Sequence, residues 1–302
     1  MFILNTVYEK NINTIITSKI EHHAVLHCSE YLKKINNTKL EFVDIDGNGV
    51  VNISDLERKL KANPNALVSL MHGNNEIGNL LDIAMVSNLC LDNGAIFHSD
   101  TVQTVGHYSF DLKKLNIHGI VGSAHKFHGP KGIGFLYLNN SHKISSFIHG
   151  GAQERNMRGG TENVYGIVGL SEALDLATSN YNDHRLHILN LKKRMIKGLK
   201  SRIKTIKFNG TSGDLDNSLY TVLNISIPNI EDQQMFLFNL DINNICASAG
   251  SACTSGSDSG SHVLKEIKKH KNHVSIRFSF SKNNTIKEVD YVLEKIQEII
   301  NV

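Results

Sequence analysis

Gly122-Ser123-Ala124-His125-Lys126-Phe127-His128-Gly129-Pro130-Lys131-Gly132 lies between two short apolar runs, Gly119-Ile120-Val121 and Ile133-Gly134-Phe135-Leu136-Tyr137-Leu138. Both runs read as buried strands. Between them stand small residues, then a histidine and a lysine side by side. A lysine just past a buried strand, flanked by Gly and Ser, is expected to be poorly solvated. Burial lowers an amine's pKa and makes it a usable nucleophile for a carbonyl. Lys126 is therefore a candidate for covalent attachment of pyridoxal 5'-phosphate (PLP). The other reading is a surface lysine in a hairpin turn.

Strands and helices alternate upstream of this stretch. Ala95 to Asp100 is a strand, preceded by a helix over 82–92 that Asn93-Gly94 closes. Ala66 to Met71 is a continuous apolar strand. Ser54-Asp55-Leu56-Glu57 opens a short helix with Ser54 as its cap, after a turn at Asp46-Gly47-Asn48-Gly49. Residues 41–45 and 12–18 read as strands. Between those two strands, a helix from His22 to Ile35 buries Ala24, Val25, Leu26, Tyr31 and Leu32. This βαβ rhythm predicts an α/β fold, a mostly parallel sheet with helices on both faces.

Ligands of such sheets bind at the carboxyl ends of the strands. Three polar clusters fall there: His72-Gly73-Asn74-Asn75-Glu76, Asp100 through Gln103, and Ser123 through Lys126. An acid at one strand end and a lysine at a neighbouring one suit PLP, because a carboxylate keeps the pyridine nitrogen protonated. Asp100 has a second reading as a helix cap. His149 to Asn163 is irregular, with two glycine pairs and two arginines, Arg155 and Arg158, able to pair with an anion. A mobile surface loop is the competing reading.

Beyond a break near Asn180 the pattern changes. Helices from Thr161 to Ala177 and from His184 to Ile203 flank that break. A strand over 219–227, a helix over 231–240, a strand over 273–280 and a last helix from Thr285 to Asn301 follow. Residues 1–179 are thus expected to form a large domain and residues 180–302 a smaller α+β domain. Ala247 to Ser261 is almost entirely small residues around one thiol, Cys253. Such a segment cannot build a core and is expected to be mobile. It reads either as a tethered nucleophile or as a glycine-serine linker with an incidental cysteine. Cys28 and Cys90 fall on helix faces and read as packing residues, and Cys246 closes a strand-like segment.

The bulk composition is that of a soluble globular chain. Of 302 residues, 40% are hydrophobic and 20% charged. A net charge of +3 implies no nucleic-acid or anionic-membrane partner. No apolar run is long enough to span a bilayer and no signal peptide opens the chain. The four cysteines form no CxxC, and the sixteen histidines form no HExxH. A reducing cytoplasm without a bound metal is the expectation.

These pieces together resemble the cysteine desulfurases of the NifS/IscS type, PLP enzymes of the class V aminotransferase family and fold type I. The matching stretches are Ile20-Glu21-His22, Met71 to Gly78, Asp100-Thr101-Val102-Gln103, Ser123 to Lys126 and Gly129 to Gly132. They continue through Arg158 to Asn163, Gly250 to Ser257, Ser261 to Leu264 and Ser275 to Ser279, in the family's order. The long Cys253 loop is similar to that of the NifS/IscS branch and unlike the shorter loop of the SufS branch. The resemblance implies an aspartate-aminotransferase-like large domain with a seven-stranded-type sheet. The large domain would bind PLP and the small one would carry the Cys253 loop.

The resemblance also implies roles for single residues. Lys126 would hold PLP and later shuttle protons, His22 would stack on its ring and assist proton transfer as a catalytic residue, and Asp100 would pair with the ring nitrogen. Asn75 and Gln103 would bond to the substrate side or the ring oxygen. Ser123 and His125 would contact the phosphate, and Thr161 would reach the phosphate of the other subunit of a homodimer. Arg277 would clamp the carboxylate of L-cysteine. Cys253 would take sulfur as a persulfide, leaving L-alanine, and pass it to an iron–sulfur scaffold or another acceptor. A transient iron–sulfur contact at Cys253 is the one metal contact so implied.

Two departures stand out. Family members carry an earlier Gly-Ala-Thr-Glu-Ser-like phosphate-binding turn, and nothing in the 302 residues matches it. Leu81-Asp82 stands where a Gln-Pro pair is frequent. The alternatives are a selenocysteine lyase, another fold type I enzyme such as an aminotransferase, or an inactive truncated homologue acting only as a binding subunit. An aminotransferase has no use for the Cys253 loop.

Overall fold

Ile15-Ile16, Leu67-Val68 and Ile96-Phe97 lie side by side on neighbouring parallel strands, Ile15 beside Leu67 and Leu67 beside Ile96. Successive side chains of a strand point to opposite faces, so each pair sends one residue each way. The computed structural model that shows this describes residues 1–228, 230, 232–249, 260–267 and 273–300. Its contacts divide the chain into two units. One comprises residues 1–44, 51–72 and 81–181, and the other 45–50, 73–80 and 182–302.

The first unit runs α1 (Phe2–Glu9), β1 (Thr14–Thr17), α2 (His23–Asn36), β2 (Lys39–Phe42), α3 (Ile53–Ala62), β3 (Ala66–Ser69), α4 (Ile83–Asp92) and β4 (Ile96–Asp100). It continues with β5 (Gly119–Ser123), a 3-10 turn (Ala124–Phe127), β6 (Gly134–Leu138), a short turn α5 (Gln153–Asn156) and α6 (Val164–Ser179). The strands make one six-stranded sheet in the order β2-β1-β3-β4-β5-β6. All neighbours are parallel except β5 and β6, which pair antiparallel. The seven-stranded-type sheet expected from the sequence is therefore six-stranded over the described residues.

On one face, Ile15 and Leu67 pack with Phe2, Ile3 and Val7 of α1 and Val25 and Leu32 of α2. On the other, Ile16, Val68 and Phe97 pack with Leu56 and Leu60 of α3 and Val86 and Cys90 of α4. Burying each such aliphatic or aromatic side chain is worth about 1.5–3 kcal/mol. Caps set the helix starts. Asn52, not Ser54, caps α3 by accepting from the Asp55 N–H at 3.0 Å. Asp82 caps α4 by accepting from Met85 N at 2.9 Å, so the Leu81-Asp82 departure supplies a cap. Asn163 caps α6, which begins at Val164 and not at Thr161.

The second unit holds α7 (Tyr181–Arg202), β7 (Lys207–Phe208), β8 (Val222–Pro228), α8 (Gln233–Ile242), α9 (His262–Glu266), β9 (His273–Ser279) and α10 (Ile286–Ile300). The strand expected from Leu219 begins at Val222. The sheet β7-β8-β9 is antiparallel. Leu191, Met195 and Leu199 of α7 pack with Ile225, Phe236, Ile276 and Leu293 around it. Gly198 lets α7 approach α10, since a Cβ there would collide with the Leu293 side chain. The piece 73–80 joins this unit through its carbonyls. Asn224 Nδ2 donates to Glu76 O at 2.9 Å, and Leu219 N donates to Gly78 O at 2.7 Å.

Candidate active site

The 3-10 turn after β5 sorts its residues by period. With three residues per turn, Ala124 and Phe127 share one side. Both are buried, against Val105 and Ala177, with Leu170 and Leu174 of α6 beside them. His125 and Lys126 take the other side and are exposed. The poor solvation expected for Lys126 is thus not what this unit shows: Phe127 takes the buried side, and the amine faces outward. Two contacts fix the lysine's backbone. His107 Nε2 donates to Lys126 O at 3.0 Å. Gly106 has φ +78°, and a Cβ there would lie 2.7 Å from Phe127 Cβ, so glycine is needed for the turn to close.

Asp100 ends β4, paired with Val121 of β5 in parallel register. Lys126 follows that neighbouring strand, so acid and amine share the carboxyl edge of the sheet. Asp100 is 8% exposed, and burial raises its pKa. The Val102 N–H, which donates to Asp100 Oδ1 at 3.0 Å, and the charges of His22 and Lys126 act against that rise. The cap reading is met locally: Asp100 holds a turn, and residues 101–107 form no helix. The edge is tied down by neighbours. Thr101 Oγ1 donates to Val121 O at 2.6 Å, and Ser99 Oγ donates to Leu70 O at 2.7 Å.

His22 caps α2 just beyond the carboxyl end of β1. Its Nδ1 accepts from Ala24 N at 3.2 Å. In the neutral ring the proton then sits on Nε2, the nitrogen left free for a ligand. Ser123 Oγ lies 2.8 Å from His125 Nδ1. Burial, then Lys126 and Lys131, lower the His125 pKa. Gln103 is half-buried in the turn after Asp100, and Thr161 is exposed just before α6. The 149–163 stretch is mostly exposed, Arg155 and Arg158 included, and Glu154, Arg155 and Asn156 all have positive φ.

The remaining candidates lie in the second unit. Arg277 is 9% exposed on β9, and its Nη1 donates to the Asn75 main-chain oxygen at 2.8 Å. Arg277 and Asn75 are thus brought together, with the Asn75 side chain left out of that bond. Ser248, just before the cysteine loop, pairs with Arg277 through Ser248 N to Arg277 O at 3.1 Å and the reverse bond at 2.6 Å. Cys253 lies outside the described residues. Cys90 is fully buried, its thiol pushed up to about 12 by burial, and burial also raises Cys28. Both fit packing. Cys246 is exposed.

Sequence reading gave no role to three polar groups in or beside these strands. Glu21 is fully buried beside His22. His72 Nδ1 lies 3.0 Å from Thr104 Oγ1, and burial pushes its pKa down to about 4. His98, inside β4, is pushed down to about 3 by burial and lies 2.9 Å from Ser69 Oγ. The available signal was position: each stands in or next to a buried strand where a polar side chain needs a partner.

An open, mostly parallel sheet with a buried acid ending one strand and a lysine just past the next has these groups at the carboxyl edge, where α/β folds bind their ligands. The chain belongs to the aminotransferase class-V family, which matches residues 3–292. It is 42% identical over 294 residues to cysteine desulfurase IscS of Clostridium botulinum (strain Hall), covering 97% of this chain and 73% of the relative. Among solved structures it is similar to a NifS-like protein, with TM-score 0.88 and 34% identity over 99% of this chain and 79% of that one. The apo structure of a cysteine desulfurase from Thermococcus onnurineus NA1 matches with TM-score 0.84 and 25% identity, over 96% of this chain and 73% of that one.

Proposed function

We propose that this chain is a PLP-dependent cysteine desulfurase that converts L-cysteine to L-alanine and carries the sulfur as a persulfide on Cys253. The observation that carries the reading is that Asp100 ends β4 while Lys126 stands in the turn just past the neighbouring β5, with the charges of His22 and Lys126 acting on the acid. The donor set fits the cofactor. A buried carboxylate whose pKa is raised by burial gains most from a cationic N–H partner, which a protonated pyridine ring supplies. An outward-facing lysine amine one strand away is open to an aldehyde.

PLP, when bound, supplies an electron sink for the pair released when the substrate's α-proton is lost. The chain's residues supply the rest. Lys126 would hold the cofactor through its amine and move the α-proton. Asp100 would pair with the ring nitrogen, His22 would stack on the ring, and Gln103 would bond at the ring oxygen. Ser123, His125 and, from a second copy, Thr161 would hold the phosphate. Arg277 pairs with the substrate carboxylate, and Asn75 bonds at the substrate side. The Cys253 thiolate forms the new S–S bond as the substrate's C–S bond breaks. One proton goes to the β-carbon and one is returned to the α-carbon, leaving alanine and a persulfide.

The two units serve as a PLP-binding large domain and a small domain carrying the Cys253 loop. A homodimer is supported by α6, where Val164, Tyr165 and Val168 are exposed and Tyr165 is 92% so. The sulfur acceptor is an iron–sulfur scaffold or another protein, and the cytoplasm is the compartment. No helix among the described residues is long and apolar enough to cross a membrane. The test is alanine release from L-cysteine by PLP-loaded protein, with Lys126→Ala and Cys253→Ala alongside. Both variants are expected to abolish it, and full activity in either overturns the reading.

A further inference from the structure

Glu21 has no part in the reaction just described. It sits between β1 and α2, next to His22, and is 1% exposed. Glutamates are almost never this buried without partners. Here one carboxyl oxygen takes two donors: Oε1 accepts from Ser18 Oγ at 3.0 Å and from Met71 N at 2.9 Å. Ser18 follows β1 and Met71 follows β3, so a single oxygen pins two neighbouring strand ends. Asp100, ending β4 on the far side of β3, acts on Glu21 through its charge.

We infer that Glu21 is a positioning residue of this site: its buried carboxyl group fixes the His22 turn against the end of β3, beside Asp100. The inference rests on the reading of His22 and Asp100 as cofactor-contacting residues. The charge distribution agrees with it. Burial, and the Asp100 charge in the same direction, push Glu21 up to about 8 against the Met71 and Ser18 hydrogen bonds. At neutral pH Glu21 therefore keeps its proton, and its carbonyl-type oxygen receives both donors. The charges of His22 and Lys126 favour the ionised form of Asp100, against the burial that raises its pKa. Two ionised carboxylates at this buried edge would repel each other.

The linkage has a definite sign. Glu21 in the folded chain titrates above its ordinary value of 4.5, so the stability it contributes is full below about pH 4.5 and lost as pH rises through about 8. Glu21→Gln keeps the acceptor oxygen and never ionises, whereas Glu21→Ala removes the oxygen. The test melts PLP-free wild type and both variants at about pH 6 and about pH 9, and titrates each with PLP by visible absorbance.

Glu21→Gln is expected to melt above wild type near pH 6, by a wider margin near pH 9, and to bind PLP within about threefold of wild type. Glu21→Ala is expected to lose about tenfold or more in PLP affinity, since it strands the Met71 N–H and the Ser18 hydroxyl. Should Glu21→Ala not fold, Ser18→Ala replaces it, with an expected loss of about threefold. The inference is overturned if Glu21→Gln binds PLP as poorly as the alanine variant, or if its melting difference from wild type is the same at both pH values. Absence of any Lys126-dependent PLP band in wild type would instead overturn the functional reading, and the PLP-free melts would still decide the state of Glu21.

Discussion

The fold treats Asp100 and Lys126 differently: the acid is buried at the end of β4, and the lysine is exposed just past β5. Asp100→Asn keeps the shape and removes the charge. The variant can no longer supply the buried negative charge proposed to pair with the ring nitrogen. A fall in kcat/KM for alanine release of about 10²–10³-fold is expected, with the fold unchanged by circular dichroism. The cysteines separate by environment. Cys90 is buried with its thiol pushed up to about 12, so it is expected to resist alkylation in the native chain. Exposed Cys246 should be labelled readily by iodoacetamide. Rapid native labelling of Cys90, mapped by peptide mass spectrometry, would count against the packing assigned to α4.

At the scale of the elements, the site depends on turns held at the ends of strands. Gly106→Ala puts a Cβ against Phe127 at a positive φ, a strain of about 1–3 kcal/mol on the turn bearing Lys126. PLP affinity is expected to fall by about tenfold or more, read by the same absorbance titration. Inside β4, neutral His98 gives the sheet an acid-sensitive point. Its folded value, about 3, lies below the ordinary 6.5, so the unfolded chain binds the extra proton between those limits. Stability from this residue is full above about pH 6.5 and lost as pH falls towards 3. His98→Gln should flatten the acid limb of a urea-denaturation series, and an unchanged limb would remove His98 as its cause.

The order of these elements was legible because apolar runs and caps are local signals, and Asp100 and Lys126 followed from counting strand ends. What was not legible depends on neighbours distant in sequence. The outward face of Lys126 is set by Phe127 packing on α6, and the strand before Met71 gives no hint that Glu21 accepts from its N–H. The membership of 73–80 in the second unit is decided by Asn224 and Leu219, whose bonds go to main-chain carbonyls that carry no residue-specific signal. Asn52 displaced Ser54 as the α3 cap because the helix starts earlier, at Ile53.

On the scale of the whole molecule, the proposed dimer and the proposed sulfur transfer are separable. Val168→Glu, on the exposed apolar face of α6, is expected to shift the protein to monomer in sedimentation equilibrium, and an unshifted dimer would move the interface elsewhere. The central claim is that Lys126-held PLP delivers cysteine sulfur to Cys253. Mass spectrometry of the PLP-loaded protein after L-cysteine, with alanine measured in the same tube, tests it most directly. The account predicts one added sulfur on the Cys253 peptide together with alanine, and neither product from Lys126→Ala. Alanine formed without Lys126, or sulfur found on a different cysteine, would contradict it.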